Sequence, residues 1–379
     1  MSIAWQIVTG EYPPQTGGVS DYTRLVARGL ADAGDRVDVW APPSGGGDDP
    51  RDPGVVVHRL PDRFGPWSLA RLGQFLDARP RPRRLLVQYV PHAFGWKAAN
   101  LPFCLWLRSR RRDGVWVMFH EVAFASEPGQ RAAHRALGAV TRRMAKLVAR
   151  SAERTFVAIP AWRPMLESIV GAKVDAGWLP IPSGIPVVAD PDAVRALRAS
   201  YAGRSALVGH FGTYGDLIAP MLEAVVPALL STADCRLLLL GHGSAAARAA
   251  LAARLPALAE RIAAAGSLSS ADVSRHLQAC DVMLQPYPDG VSSRRTSAMA
   301  ALSHGRALVT TAGALTEPIW SERAAAALVP AGDSTALAAA AARLVGDSAA
   351  RTELAARGAH VYDERFDLRH TIAALRADA

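Results

Sequence analysis

The chain has 379 residues, of which 50% are hydrophobic and 20% are charged. This composition excludes a disordered or collagen-like protein, and the length fits two domains of roughly 150 to 200 residues each. The formal net charge of +9 is carried entirely by the first half of the chain. Residues 1–185 hold 25 Lys and Arg against 16 Asp and Glu, whereas residues 186–379 hold 18 of each kind.

The three cysteines, Cys104, Cys235 and Cys280, have no paired spacing. They indicate neither a disulfide framework nor a zinc site, and lone thiols fit a reducing compartment. The first residues lack the pattern of a signal peptide, and no apolar run approaches the ~18 residues that cross a bilayer. We therefore expect a cytoplasmic protein.

Short runs rich in Val, Ile and Leu alternate with helical segments, a pattern typical of parallel sheets built from βα units. In the first half the predicted strands are residues 3–9, 36–40, 55–60, 85–89, 115–119 and 155–159, with a first helix at 25–30. In the second half they are 206–211, 235–240, 261–265, 281–285, 307–311 and 326–329. The predicted helices there are 217–230, 245–257, 271–279, 297–303 and 334–344.

Residues 177–187 concentrate Pro and Gly between these two series. Neither a helix nor a strand is expected to continue through such a segment, so it is predicted to be a linker between domains. The sequence thus predicts an α/β protein with two Rossmann-like domains, over residues 1–185 and 186–365. Ligands of such sheets bind at the carboxyl ends of the strands.

Residues 131–154 are predicted to form a basic amphipathic helix. One face carries Arg131, Arg135, Arg142, Lys146 and Arg150, and the other carries Leu137, Val140, Met144, Leu147 and Val148. Two interpretations remain open: a surface helix packed on the core, or peripheral contact with an anionic acceptor or the anionic inner face of a membrane. Nucleic-acid binding is not predicted, because no recognised module accompanies the charge.

Residues 10–23, Gly-Glu-Tyr-Pro-Pro-Gln-Thr-Gly-Gly-Val-Ser-Asp-Tyr-Thr, lie between the first predicted strand and the first predicted helix. Gly17 and Gly18 let the backbone approach a ligand, since no Cβ stands in the way. The helix N-terminus that follows offers unpaired N–H groups to an anion. The segment predicts a phosphate site, and an ordinary strand-to-helix turn is the alternative that glycines alone would leave open.

This string resembles the N-terminal signature of the family-four glycosyltransferases, a retaining family with the two-domain GT-B fold. The resemblance implies two Rossmann-like domains that face each other across a cleft, with residues 1–185 on the acceptor side and 186–365 binding a nucleotide-sugar donor. It also implies that Gly17 and Gly18 face the donor diphosphate. The last helix, within residues 366–379, would pack back on the first domain.

The second half resembles the donor domain of the same family over nearly its whole length. Residues 237–244 resemble a strand that ends in a Gly-x-Gly turn at Gly241, and residues 266–286 resemble the segment that holds the nucleotide base. Leu268 would offer backbone polar groups to that base. Gly212 and Thr213, in the first loop of this domain, are assigned to donor binding, but the Arg and Lys that the family commonly carries there are absent.

Residues 288–300 depart from the family pattern of two glutamates eight positions apart. Asp289 stands at the first position and would meet the transferred sugar, while Ser297 stands at the second and would touch the nucleoside. A single hydroxyl cannot accept two hydrogen bonds from a ribose diol as a carboxylate does, which puts ribose recognition in doubt. Arg294 and Arg295 are predicted to hold the diphosphate beside the helix that begins near Ser297. The alternative is that both are solvated or paired with Asp289.

Histidines provide a further set of candidates. His120 follows the strand at 115–119, where the family has a matching histidine that would orient the sugar, and a purely structural histidine is the alternative. His92 is a weaker candidate on the acceptor side, and His210 and His242 are expected to be ordinary loop residues. Glu317 is predicted to line the donor pocket.

The sequence therefore predicts a glycosyltransferase that moves a sugar from a nucleotide-sugar to an unidentified acceptor, with retention and without a metal or a bound cofactor. No Asp-x-Asp stands where it would bind a metal–diphosphate. Two alternatives remain. One is a GT-B epimerase or hydrolase of sugar nucleotides, and the other is a non-catalytic nucleotide-sugar-binding protein, which the missing second glutamate would favour.

Overall fold

The computed structural model describes residues 2–124, 129 and 131–377, and the chain divides into two compact units. Unit 1 comprises the chain up to Pro180 together with the residues from Leu368 onward, and unit 2 spans Ile181–Asp367. The sequence analysis places the division five residues later, between residues 185 and 186, and the return to the first domain at residue 366.

The described residues of unit 1 form a seven-stranded parallel sheet in the order β3-β2-β1-β4-β5-β6-β7. Its strands are β1 (Ala4–Thr9), β2 (Arg36–Ala41), β3 (Val55–Arg59), β4 (Arg84–Tyr89), β5 (Val115–Phe119), β6 (Arg154–Val157) and β7 (Ala176–Trp178). Its helices are α1 (Gly18–Asp32), α2 (Pro66–Asp77), α3 (Leu101–Ser109), α4 (Ala132–Ser151) and α5 (Trp162–Val170).

The described residues of unit 2 form a six-stranded parallel sheet in the order β10-β9-β8-β11-β12-β13. Its strands are β8 (Ala206–Phe211), β9 (Cys235–Leu240), β10 (Ile262–Gly266), β11 (Val282–Gln285), β12 (Ala307–Ala312) and β13 (Ala327–Pro330). Its helices are α6 (Pro191–Ala202), α7 (Ala219–Thr232), α8 (Ser244–Arg254), α9 (Ser270–Ala279), α10 (Thr296–Ser303), α11 (Ile319–Glu322), α12 (Ser334–Gly346) and α13 (Ser348–Val361). The last helix, α14 (Leu368–Ala377), belongs to unit 1.

Both sheets have the strand order of a doubly wound Rossmann fold. Successive strands are first added on one side of the first strand, and the later strands are then added on its other side. The inner strands of both sheets are buried almost without interruption, and all five residues of β5 are buried, whereas the edge strands β3, β7, β10 and β13 are mostly half-buried or exposed. Continuous burial is expected for parallel strands that are covered by helices on both faces. This explains why runs of Val, Ile and Leu predict the strands of both units closely.

The prediction that no strand enters residues 177–187 is wrong for the first two of them, because Gly177 and Trp178 belong to β7, which pairs with β6. This strand lies at the edge of the sheet and is bonded to one neighbour only, so a short segment suffices. A Cβ at Gly177 would lie 2.8 Å from the ring of Phe156, which shows that the glycine lets β7 approach this ring.

Helix α14 packs on α1, where a Cβ at Gly29 would lie 2.7 Å from Ile372. The side chain of Thr371 is hydrogen-bonded to the phenol of Tyr22, and Arg376 Nε lies 3.1 Å from Asp35 Oδ2. A glycine, a buried hydrogen bond and an ion pair therefore attach the end of the described chain to the first helix.

Helix α4 buries its apolar face within unit 1, where Met144, Ala145 and Val148 join the core. Arg142 and Arg143 lie on its exposed side. Helix α4 is thus a surface helix packed on the core, the first of the two interpretations left open by the sequence. Across the described ranges, no helix has both the length and the apolar character needed to cross a membrane.

Candidate functional site

The strand order of unit 2 reverses between β8 and β11, which is the position where ligands of such sheets bind. These strands pair only through Val208 with Val282 and Gly209 with Met283. Beyond that point side chains replace the backbone ladder: His210 Nδ1 lies 2.9 Å from Leu284 O, and Gln285 Nε2 lies 3.0 Å from Phe211 O. The carboxyl ends of the two strands are thus held slightly apart by buried polar groups.

Three glycine turns meet at the same edge of the sheet. Gly212 N donates to Leu240 O at 3.1 Å, and Gly241 N donates to Gly266 O at 3.2 Å. Gly241 has a φ of +107°, and a Cβ on it would lie 2.5 Å from Gly212 O. Only glycine fits this position, so the turns that follow β8, β9 and β10 lie side by side with their backbones in contact.

The donor residues predicted from these turns are thereby brought close in the fold. Gly212 and Gly241 are adjacent, Thr213 is exposed beside them, and half-buried Leu268 follows the turn at Gly266 by two residues. Their assignment to donor binding stays a prediction.

Asp289, Arg294 and Arg295 form one cluster before α10. Arg294 Nη2 lies 2.7 Å from Asp289 Oδ2, and Arg295 binds the other oxygen of the same carboxylate. Arg295 also stacks on Tyr287, with its Cζ 4.7 Å from the ring centroid. In the structure both arginines are paired with Asp289, which is the alternative that the sequence analysis left beside diphosphate binding. Each arginine side chain nevertheless remains 24% exposed.

Ser297 lies in the first turn of α10, and its Oγ is 2.8 Å from the hydroxyl of buried Tyr287. Burial raises the pKa of Tyr287 to about 12, so the phenol is neutral at physiological pH. A Cβ built at Gly212 would lie 3.9 Å from Ser297 Oγ and 3.8 Å from His210 Nε2. The structure thus brings Ser297 and His210 to the same small space beside a glycine.

Glu317 does not line an open pocket, contrary to the prediction. Its carboxylate is buried, accepts hydrogen bonds from the backbone N–H of Ser293 at 2.9 and 3.1 Å, and accepts one from Trp320 Nε1 at 2.8 Å. Burial raises the pKa of this carboxyl above its usual range. Glu317 therefore fixes the backbone immediately before the two arginines.

The glycine loop of unit 1 contains an acidic side chain that the sequence analysis did not consider. Glu11 Oε1 accepts a hydrogen bond from Ser20 N at 3.0 Å, and a Cβ at Gly17 would lie 2.4 Å from that oxygen. Burial and the nearby Glu11 raise the pKa of Asp21 in the same turn. A carboxylate thus occupies the N-terminus of α1, which weighs against a phosphate there. The role of Gly17 and Gly18 stays a prediction.

His120 follows β5 and is buried in unit 1. Its Nε2 lies 2.8 Å from Gln88 Oε1 at the end of β4, and its ring meets the edge of Tyr22 at 4.9 Å between centroids. Burial lowers the pKa of His120 to about 3. The imidazole is therefore neutral and held in place, which suits an orienting role. Gln88 was missed because a glutamine inside a strand belongs to no recognisable motif.

Within residues 2–124, 129 and 131–377, no three His, Cys, Asp or Glu side chains come together as a group that could hold a metal ion.

Two doubly wound sheets, the second with glycine turns and arginines at its carboxyl edge, define an α/β protein of the GT-B class. The family model for the glycosyl transferase 4-like domain matches residues 17–170, and the model for glycosyl transferases group 1 matches residues 205–347. Together the two matches cover more than three quarters of the chain. The chain belongs to the family-four glycosyltransferases and is a glycosyltransferase.

Solved structures share this fold over almost the whole chain. Sucrose-phosphate synthase from Thermosynechococcus elongatus is 19% identical, with a TM-score of 0.70 and coverage of 99% of this chain and 98% of that one. HepE from Anabaena is 17% identical, with a TM-score of 0.70 and 99% coverage of both chains. WaaG, described as a glycosyltransferase of lipopolysaccharide biosynthesis, is 15% identical, with a TM-score of 0.65 and 95% coverage of both. No curated protein sequence matches the chain.

Proposed function

We propose that this glycosyltransferase binds a nucleotide-sugar on unit 2 and transfers the sugar, with retention and without a metal, to an acceptor held by unit 1. The donor class is supported by the fold shared with HepE, whose structures contain UDP and UDP-glucose. It is also supported by the position of the polar cluster of unit 2, at the edge of the sheet where the strand order reverses.

The observation that carries the proposal is the pair Arg294 and Arg295 directly before α10. A guanidinium group matches phosphate oxygens with two parallel hydrogen bonds, and a helix N-terminus favours negative charge. The two arginines supply the positive charge that the loop at residues 209–216 lacks. Negative charge grows on the diphosphate as the bond to the sugar breaks, so these groups stabilise the leaving group.

Asp289 takes part in this arrangement as the present partner of both arginines. When a diphosphate binds the guanidinium groups, it competes with the Asp289 carboxylate for the same donors. The carboxylate is then released toward the transferred sugar, where it accepts hydrogen bonds from hydroxyl groups. Neutral His120 is assigned to orienting a sugar hydroxyl by a hydrogen bond, and the departing diphosphate accepts the proton of the acceptor hydroxyl.

The test replaces Arg295 and follows sugar transfer across a panel of nucleotide-sugars and acceptors. We expect Arg295→Ala to lower kcat by about 10²- to 10³-fold, as the loss of one charge-stabilising group does, and Arg295→Lys to restore part of it. Arg204→Ala, which removes an exposed arginine of the same unit, is the matched control and should retain full activity. Full activity of the Arg295→Ala enzyme would overturn the proposed role.

The remaining parts of the proposal have separate readouts. Retention is read from the anomeric configuration of the product by NMR, and metal independence from unchanged turnover in excess EDTA. Incubation with the donor alone separates transfer from the alternatives, because an epimerase or hydrolase would release an epimer or free sugar without any acceptor.

We also propose that unit 1 contacts anionic membrane surfaces through the basic side of α4. The apolar side of this helix is already used in the core, so the contact would be electrostatic and would not require insertion. Arg142, Arg143 and Lys146 line a surface cavity of about 300 Å³ that also involves Ser168 and Ile169 of α5. This group gives a compact positive surface for lipid headgroups.

A further inference from the structure

A buried ring nitrogen of His210 has no hydrogen-bond partner among the residues that the structure describes. The residue is 2% exposed and lies near the carboxyl end of β8. Its Nε2 atom is inaccessible to solvent and has no hydrogen-bond partner among the described residues. Buried polar atoms are nearly always paired in folded proteins, so an unpaired one at the edge of a ligand-binding sheet needs an explanation.

The other ring nitrogen fixes what Nε2 can bind. His210 Nδ1 lies 2.9 Å from Leu284 O, and a carbonyl oxygen only accepts hydrogen bonds, so Nδ1 carries the proton. Burial lowers the pKa of His210 to about 4, so the ring does not gain a second proton at neutral pH. Nε2 therefore presents a lone pair. It repels phosphate oxygens and requires a ligand group that donates, such as a hydroxyl.

A second acceptor, Ser297 Oγ, lies near the same point as His210 Nε2. The point where a Cβ of Gly212 would stand is 3.8 Å from His210 Nε2 and 3.9 Å from Ser297 Oγ. Gly212 has no side chain, and apart from its chain neighbours no heavy atom lies closer than 3.8 Å to this point. Ser297 Oγ is oriented by its contact with Tyr287, and its oxygen retains capacity to accept.

The position of this space along the site indicates which hydroxyls occupy it. On one side, Gly212 adjoins Gly241, which is bonded to Gly266 in the turn that leads to the predicted base segment. On the other side, Ser297 follows Arg295 by two residues, where the diphosphate is proposed to bind. A ribonucleoside diphosphate has its ribose between base and diphosphate, in the same order.

We propose that His210 Nε2 and Ser297 Oγ accept hydrogen bonds from the 2′- and 3′-hydroxyls of the donor ribose. Each neutral group thereby accepts one of the two hydrogen bonds that a single carboxylate would accept from the ribose. This assignment rests on the proposed function, since it takes a nucleotide-sugar as the ligand of unit 2. It makes His210 a specificity residue that distinguishes ribonucleotides from deoxyribonucleotides.

The experiment measures dissociation constants of the full chain for UDP, GDP and ADP and for the 2′-deoxy and 3′-deoxy forms of each. Removing the hydroxyl that pairs with Nε2 leaves this buried acceptor unsatisfied. We expect the best-bound diphosphate to lose about 10-fold in affinity when either hydroxyl is removed, in line with one hydrogen bond per hydroxyl. If the wild-type chain bound both deoxy forms with the same dissociation constant as the parent diphosphate, the inference would be overturned without any variant.

Two variants of His210 separate its two nitrogens. His210→Asn keeps a donor near the position of Nδ1 and removes the acceptor, so we expect its preference for one of the two hydroxyls to fall below about 3-fold. His210→Gln places an amide near the position of Nε2 and should retain more of the preference. Ser297→Ala should remove the preference for the other hydroxyl. Equal preferences in all three variants and the wild type would overturn the assignment.

The outcomes also separate this inference from the proposed function. If none of the three diphosphates binds the wild-type chain, the proposed donor class fails and the ribose assignment fails with it. If a diphosphate binds and Arg295→Ala weakens it, but ribose discrimination does not depend on His210 or Ser297, only the present inference is wrong. Thermal unfolding of each variant confirms that a lost preference reflects the site and not a lost fold.

Discussion

Buried neutral histidines are the most informative single residues of this protein. His120 in unit 1 and His210 in unit 2 each stand near the carboxyl end of a central strand, and each is held by one polar neighbour. Burial lowers the pKa of His120 to about 3 and that of His210 to about 4. Both rings can thus position a ligand by hydrogen bonds without adding charge to the site.

These depressed pKa values predict how stability depends on pH. Both histidines bind a proton with a pKa near 6.5 when the chain is unfolded, but only below about 4 when it is folded. The unfolded chain therefore gains protons first as the pH falls from 7. Each histidine should lower the free energy of unfolding by about 2 kcal/mol at pH 5 relative to pH 7 or above.

Unfolding curves of the wild type and of His120→Gln between pH 7 and pH 5 would check this prediction. The variant should lose the part of the pH dependence that His120 contributes, while His242→Gln, which changes an exposed histidine, should keep the wild-type slope. Identical slopes for the wild type and the His120→Gln variant would contradict the prediction.

Sequence reasoning identified many residues of the candidate site but not their partners. Asp289, Arg294, Arg295 and Ser297 were found because a family pattern marks their positions. The carboxylate of Glu11 at the start of α1 was not considered, and His210 was given no ligand role although it lies near the carboxyl end of β8. Such contacts join residues whose proximity exists only after the sheets form, so no local pattern indicates them.

At the scale of elements, the glycine turns at the carboxyl edge of unit 2 determine how closely the backbone after β8, β9 and β10 packs together. Gly241 is the most constrained of them, because a Cβ would collide with a backbone carbonyl and because φ is +107°. Backbone atoms cannot move aside as a flexible side chain can, and the strain of this φ adds to the clash.

We expect Gly241→Ala to lower the free energy of unfolding of unit 2 by about 2 kcal/mol or more, and to weaken nucleoside diphosphate binding. Gly215→Ala is the matched control, since no atom lies within 4 Å of a Cβ at that position and its φ is not in the left-handed region. It should change stability by less than about 0.5 kcal/mol. Equal effects of the two substitutions, measured by denaturant unfolding, would contradict the prediction.

Strands and helices differ in how well the sequence predicts them. All strands of both sheets except β7 were predicted, because buried parallel strands are short continuous apolar runs. Helices α2, α3, α5, α6, α11 and α13 were not predicted. In α3 the apolar residues are not confined to one face, and α13 has five alanines among its 14 residues, which blurs its periodicity.

At the scale of the whole molecule, the uneven charge predicts a salt-dependent association with anionic surfaces. The excess of Lys and Arg lies in residues 1–185, and α4 displays part of it on the exterior of unit 1. Attraction of this kind contributes about 1 kcal/mol for each basic residue near a membrane surface and weakens as salt rises.

Co-sedimentation with vesicles containing phosphatidylglycerol would measure this association. The double variant Arg142→Glu and Arg143→Glu should lower vesicle binding by about 10²-fold or more. The control is Arg204→Glu with Arg343→Glu, which makes the same change in net charge at exposed positions of unit 2 and should bind as the wild type does. Binding that is insensitive to salt, or equal losses in both double variants, would contradict the prediction.

The attachment of α14 to α1 affects the order in which the protein matures during synthesis. Unit 2 is synthesised in full before α14, whereas unit 1 waits for its last helix although most of its chain was made first. Until then Tyr22 and Asp35 lack the partners that Thr371 and Arg376 later supply. Domains generally fold as units as they emerge from the ribosome. The surface of α1 that α14 covers therefore stays uncovered in unit 1 while unit 2 is being translated.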